Sequence, residues 1–236
     1  MALQLGLLDG AVKLTKNADD ESLRECLTLT RARYEAYASA IDTGESDRAV
    51  YWRIVFSILS VHSPIDATFE AYRSIRAWRA RYSRVPSQDT LVKLLRHSRG
   101  VDGVVLYPNN KAEYLRAFSL AWERDKSTFT RNGATDAEWR ARIQRNVKGL
   151  GLAKASFAVA LSNPSTSDIC CIDTHIYALF TGITPKSAIG KRAYLAIEQR
   201  IRDLASEFDL SVFACQWALW DARRGEANPH TILGTI

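Results

Sequence analysis

The chain has 236 residues, 47% of them hydrophobic and 25% charged, a globular composition that excludes a disordered chain and leaves no room for several independent domains. The net charge is +6 with a pI near 9.2, and 23 arginines stand against 9 lysines, which favours bidentate phosphate contacts, with scattered solubilising arginines as the plain alternative. The longest apolar run, 51–61, carries Arg53 and falls short of the roughly 18 to 20 residues of a membrane span, and the first ten residues lack the basic lead of a secretion signal.

These features predict one soluble, cytoplasmic, monomeric domain over 1–236, with one core or two closely associated helical lobes. Cys26, Cys170, Cys171 and Cys215 are too dispersed for a zinc or iron–sulfur spacing and read as reduced, buried thiols, so no metal site is expected.

Helical periodicity dominates the chain. Asp19-Asp20-Glu21 opens a helix that runs to Ile41, with Leu23, Cys26, Leu27, Leu29, Tyr34 and Tyr37 toward one side, and Thr43-Gly44-Glu45-Ser46 breaks it. A buried helix follows at 50–60, ending before Ser63-Pro64. Further helices are predicted at 65–81, 87–97, 110–124, 136–146, 152–161, 174–180, 187–205 and 210–224, and strand-like alternation is nearly absent. The fold class is therefore all-α.

Between two of these helices lies Val147-Lys148-Gly149-Leu150-Gly151-Leu152-Ala153-Lys154-Ala155. Two glycines let the backbone approach a phosphate, and the first amides of the next helix point toward it with the favourable end of the dipole. A plain helix–helix turn has the same pattern. About twenty residues on, Cys171-Ile172-Asp173-Thr174-His175 places a carboxylate at the start of an apolar helix, where it is either an N-cap or a reactive group. His175 either holds the helix start or takes part in chemistry, and Trp217 and Trp220, three apart, read as core.

With these residues in place, the chain resembles the helix-hairpin-helix DNA glycosylases typified by endonuclease III, over about 50–224. Ile58-Leu59-Ser60-Val61-His62 is similar to the family's buried helix and the loop whose residue enters the DNA stack. Leu106-Tyr107-Pro108-Asn109-Asn110-Lys111-Ala112 is similar to its turn before the hairpin, and Cys215-Gln216-Trp217-Ala218-Leu219-Trp220-Asp221 to its closing helix. The resemblance implies a two-lobed helical glycosylase fold that binds double-stranded DNA through Lys148, Gly149, Leu150, Gly151, Leu152, Ala153 and His62, with Asp173 and His175 in the chemistry.

Two departures stand out. Members that form a Schiff base carry their lysine two residues after the second hairpin glycine, where this chain has Ala153; Lys154 follows one residue later, about 100° around the helix. Lys154 is the remaining lysine candidate for a catalytic role, and its position favours a phosphate contact or an outward direction. The cysteines that hold an iron–sulfur cluster after the closing helix have no counterpart in 223–236, so no cluster is expected.

The strings Lys-Gly-Leu-Gly-Leu-Ala-Lys-Ala-Ser-Phe, Cys-Ile-Asp-Thr-His and Gln-Trp-Ala-Leu-Trp-Asp are similar to a bacteriophage branch of this superfamily, the alpha-glutamyl or putrescinyl thymine pyrophosphorylases and amino-acid:DNA transferases. That resemblance implies an enzyme that flips a 5-(pyrophosphoryloxymethyl)uracil base and replaces pyrophosphate with the amine of a free amino acid, giving hypermodified thymidine. It implies no cofactor beyond that co-substrate and a monovalent cation at the hairpin. A monofunctional glycosylase and a non-catalytic DNA-binding module are the alternatives.

Overall fold

The computed structural model describes residues 13–41, 46–100 and 103–224. The apolar N-terminus and the break at Thr43-Gly44-Glu45 lie outside these residues. Among them are ten α-helices: α1 (Asp20–Ile41), α2 (Asp47–Leu59), α3 (Ile65–Tyr82), α4 (Gln88–His97), α5 (Pro108–Arg124), α6 (Asp136–Asn146), α7 (Leu152–Ser162), α8 (Thr174–Thr181), α9 (Lys191–Glu207) and α10 (Val212–Arg224). One pair of two-residue strands, β1 (Arg99–Gly100) and β2 (Gly103–Val104), runs antiparallel between α4 and α5. The fold is all-α, as the periodicity predicts, and no helix among the described residues is long and apolar enough to cross a membrane.

Side-chain caps set several of the helix starts. Ser46 and Ser87 accept the amides of Ala49 and Thr90, and Thr135 forms a reciprocal capping box with Glu138. Several starts differ from the sequence-based expectation: α2 begins at Asp47, three residues before the predicted Val50, and α10 at Val212, two after the predicted Leu210. Pro108 occupies the first turn of α5, two residues before the predicted start, because a proline there loses no helical hydrogen bond. Helix α9 begins at Lys191 after Gly190, leaving Ser187-Ala188-Ile189 outside the helix.

The chain divides into two compact units. One comprises residues 13–41 and 163–224, the other 46–162. In the first, α1 packs on α10, and α10 on α8 and α9. Leu23, Cys26 and Leu27 fall on the i, i+3, i+4 stripe of α1 and are buried, whereas Leu29 is half-buried. The buried Tyr34 hydroxyl donates to Asp221 Oδ2 at 2.5 Å.

In the second unit, α2 is buried along Val50 to Leu59, so it packs against α3, α5 and α7 rather than facing solvent. Its one charged core residue, Arg53, donates from Nη1 to the Ser162 carbonyl at 3.0 Å. An ion buried this way is tolerated because the carbonyl replaces part of its hydration.

Candidate active site and hairpin

The hairpin joins α6 to α7 in the second unit. Val147 and Leu150 point inward and are buried, which anchors the turn, while Lys148, Gly149 and Gly151 are exposed. The Leu150 amide donates to the Val147 carbonyl at 3.2 Å, so Leu150 closes the turn with its backbone and its side chain. Gly149 has φ +86, and a Cβ there would meet the Tyr114 ring at 2.3 Å. A Cβ at Gly151 would meet no protein atom within 4 Å. The protein itself therefore requires the first glycine, and the second leaves the turn open on its outer side.

The first helical hydrogen bond of α7 runs from the Ala155 amide to the Gly151 carbonyl. The amides of Leu152, Ala153 and Lys154 precede it and have no acceptor further back in the helix. Lys148 Nζ donates to Glu113 Oε1 at 2.5 Å and lies 5.5 Å from the Tyr114 ring centre. That hydrogen bond, and then the Glu113 charge, raise the Lys148 pKa above the ordinary lysine value. Lys154 is half-buried, its ammonium 5.1 Å from the Phe157 ring centre, and Ala153 occupies the slot before it.

His62 belongs to the same unit. It is exposed, has φ 53, and meets the Tyr107 ring edge-to-face at 6.3 Å between centroids. Tyr107 also has a positive φ, 55, and is 60% exposed. Two non-glycine residues in the left-handed region need support from their surroundings. Lys111 supplies it: its buried amine donates to the Leu59 carbonyl and, at 2.6 Å, to Ser63 Oγ, which also accepts the Leu106 amide at 2.9 Å. Burial, and then the charge of Lys154, push the Lys111 pKa down to about 7. In the sequence Lys111 stands out only as part of the turn motif, with nothing nearby to mark its acceptors.

The carboxylate lies in the other unit. Asp173 caps α8, with Oδ1 accepting the amides of His175 at 2.9 Å and Ile176 at 3.0 Å. Oδ2 accepts the Trp220 indole N–H at 2.7 Å. Asp173 is thus an N-cap, and it is also tied to the closing helix. It remains partly exposed, and an ionised carboxylate can accept a further bond.

The backbone leading to Asp173 is pinned from α9. The buried Tyr194 hydroxyl donates to the Cys170 carbonyl at 2.7 Å and accepts the Ile172 amide at 3.1 Å, while Glu198 accepts the Cys170 amide. His175 is exposed and meets Trp220 edge-to-face at 6.1 Å, and the Arg224 guanidinium lies 4.6 Å from the Trp220 ring centre.

The two tryptophans read as core separate here. Trp217 is buried, whereas Trp220 is half-buried and serves the carboxylate. The available signal was chemical: an indole N–H near a surface seeks an acceptor. Nothing local identifies that acceptor 47 positions earlier in the chain. Among the described residues no three His, Cys, Asp or Glu are grouped to hold a metal ion, and all four cysteines are buried without disulfides.

The hairpin with exposed glycines before a helix and the aspartate capping a later one keep the arrangement that the resemblance to helix-hairpin-helix DNA glycosylases implies. A family model described as 8-oxoguanine DNA glycosylase matches residues 30–210, and the chain belongs to that family. Solved structures agree at the level of fold. The 8-oxoguanine DNA glycosylase of Thermotoga maritima aligns with TM-score 0.69 and 18% identity, over 88% of this chain and 97% of that one. An 8-oxoguanine glycosylase/lyase of Methanocaldococcus jannaschii, solved with a 15mer DNA containing 8-oxoguanine, aligns with TM-score 0.69 and 19% identity, over 87% and 99%. No curated protein matches the chain.

Proposed function

We propose that this protein is a monofunctional DNA glycosylase that binds double-stranded DNA through the hairpin at 147–155 and releases a modified base, with an oxidised guanine as the first substrate to try. The observation that carries this reading is Asp173, a carboxylate held by three N–H donors and still partly exposed. The family match and the DNA-bound relative support it.

The target nucleotide leaves the stack so that its sugar reaches the protein. As the bond between base and sugar lengthens, positive charge develops on the sugar, and a fixed carboxylate stabilises it without having to reorganise. Water then adds across the broken bond: its hydroxyl goes to the sugar carbon and its proton to the departing base. His175, exposed beside Trp220, is the candidate for moving that proton.

Strand cleavage through a Schiff base needs an amine at the slot that Ala153 fills. Lys154 holds its ammonium 5.1 Å from the Phe157 ring centre, and this reading gives it a phosphate contact rather than a place in the chemistry. The family match weighs toward excision, so amine transfer enters as the alternative outcome of one experiment.

In that experiment the protein is incubated with duplexes bearing 8-oxoguanine or 5-(pyrophosphoryloxymethyl)uracil and a pool of amino acids, and products are identified by mass spectrometry. Free base with an intact abasic strand is expected. A heavier nucleoside that keeps its sugar, with pyrophosphate released, establishes the transferase instead. Binding without either product leaves a DNA-binding module.

A further inference from the structure

Residues 71–84, the C-terminal part of α3 and the turn after it, contain five arginines and no carboxylate. The core face of α3 is formed by Ala67, Ala71, Tyr72 and Ile75, all buried. On the outer side, Arg73, Ala77 and Arg81 lie four apart in one exposed stripe, and Trp78 and Tyr82 lie four apart in the stripe beside it. Their rings meet at 4.7 Å between centroids, and Tyr82 stays 45% exposed.

Ser83 ends the helix in the left-handed conformation, and the chain then places the Arg84 guanidinium 5.8 Å from the Trp78 ring centre. The Arg81 guanidinium lies 5.3 Å from the Tyr82 ring centre. Other arginines of the helix have partners inside the protein. Arg73 pairs with Glu70, Arg79 with Glu123, and Arg76 donates to the Tyr72 hydroxyl. Among the described residues no carboxylate pairs with Arg81 or Arg84.

We propose that this end of α3 is a second nucleic-acid contact that takes single-stranded DNA, with phosphates on Arg81 and Arg84 and an unpaired base stacked on Tyr82. Cations alone suit any polyanion, and a duplex presents phosphates while hiding the faces of its bases. Alternating guanidinium and ring groups fit a strand that offers both phosphates and bare base faces. The patch stands about 25 Å along the helix from Ile65, next to the His62 loop, a length of roughly seven nucleotide steps. It uses no hairpin residue and none of the groups assigned to the reaction.

The test is fluorescence anisotropy of the full chain with a labelled single-stranded 20-mer and with the matched duplex. Arg81→Glu combined with Arg84→Glu is expected to weaken single-strand binding by about tenfold or more and to reduce the salt slope by about 1.4, the value for two phosphate contacts. Tyr82→Ala is expected to weaken it about fivefold at unchanged salt slope, with duplex affinity unaltered. Unchanged single-strand affinity in the arginine variant overturns the proposal. An equal loss on duplex with Tyr82→Ala overturns the strand preference in favour of a plain phosphate contact. Far-UV circular dichroism melts and base release, both expected at wild-type level, separate these outcomes from misfolding and from failure of the glycosylase reading.

Discussion

Asp173 uses one oxygen to cap α8 and the other to hold Trp220, so a single side chain joins local helix structure to the candidate chemistry. Asp173→Asn removes the charge and sets an amide against the indole N–H; turnover is expected to fall about a thousandfold, with duplex binding little changed. Single-turnover kinetics beside a binding titration checks this, and retained turnover removes Asp173 from the mechanism. Trp220→Phe keeps the ring and loses its donor. Because a hydrogen bond to a charged group contributes about 1.5–3 kcal/mol, kcat is expected to drop about tenfold or more while KM holds. Lys111 gives a pH signature. Its pKa is about 7 in the folded protein against an ordinary 10.5, so between those values the unfolded chain holds a proton that the folded chain has shed. Stability from this group therefore rises with pH across that window and is lost as pH falls toward 7. Thermal melts from pH 7 to 9 should show a rise that Lys111→Met flattens; an identical slope in the variant would exclude Lys111 as its source.

At the scale of elements, the two hairpin glycines differ in what they require. Gly149→Ala forces a side chain into a positive-φ position and into the Tyr114 ring, and is expected to cost about 1–3 kcal/mol of stability, measured by denaturant unfolding. Gly151→Ala meets no protein atom, so the melt should stay as in wild type while duplex affinity falls, and Gly151→Asp should weaken binding further by placing a carboxylate against phosphate. Unchanged affinity in both Gly151 variants would remove the hairpin from the DNA contact. Most helices were legible from periodicity, because apolar stripes and Ser, Thr or Asp caps act within a few residues. The start of α9 was not, since Ser187-Ala188-Ile189 continues the helical pattern while Gly190 supplies the break. The hairpin and Asp173 were legible as motifs. The roles of Lys111 and Trp220 were not, because each depends on an acceptor about 50 positions away that no local pattern marks.

For the molecule as a whole, a net charge of +6 with an excess of arginine fits a protein whose partner is a polyanion. The division into two units gives this chain a built-in reporter. All four cysteines fall in the unit of residues 13–41 and 163–224, and the unit of 46–162 contains none. Every one is buried, and burial holds the Cys26, Cys170 and Cys215 thiols in their protonated, unreactive form. Alkylation can then reach them only when that unit opens. The mass added by a thiol reagent over time becomes a clock for one half of the protein, with the other half chemically silent. Adding DNA to such an experiment would measure how far a ligand slows the opening of the half that carries Asp173, without a label or an engineered probe.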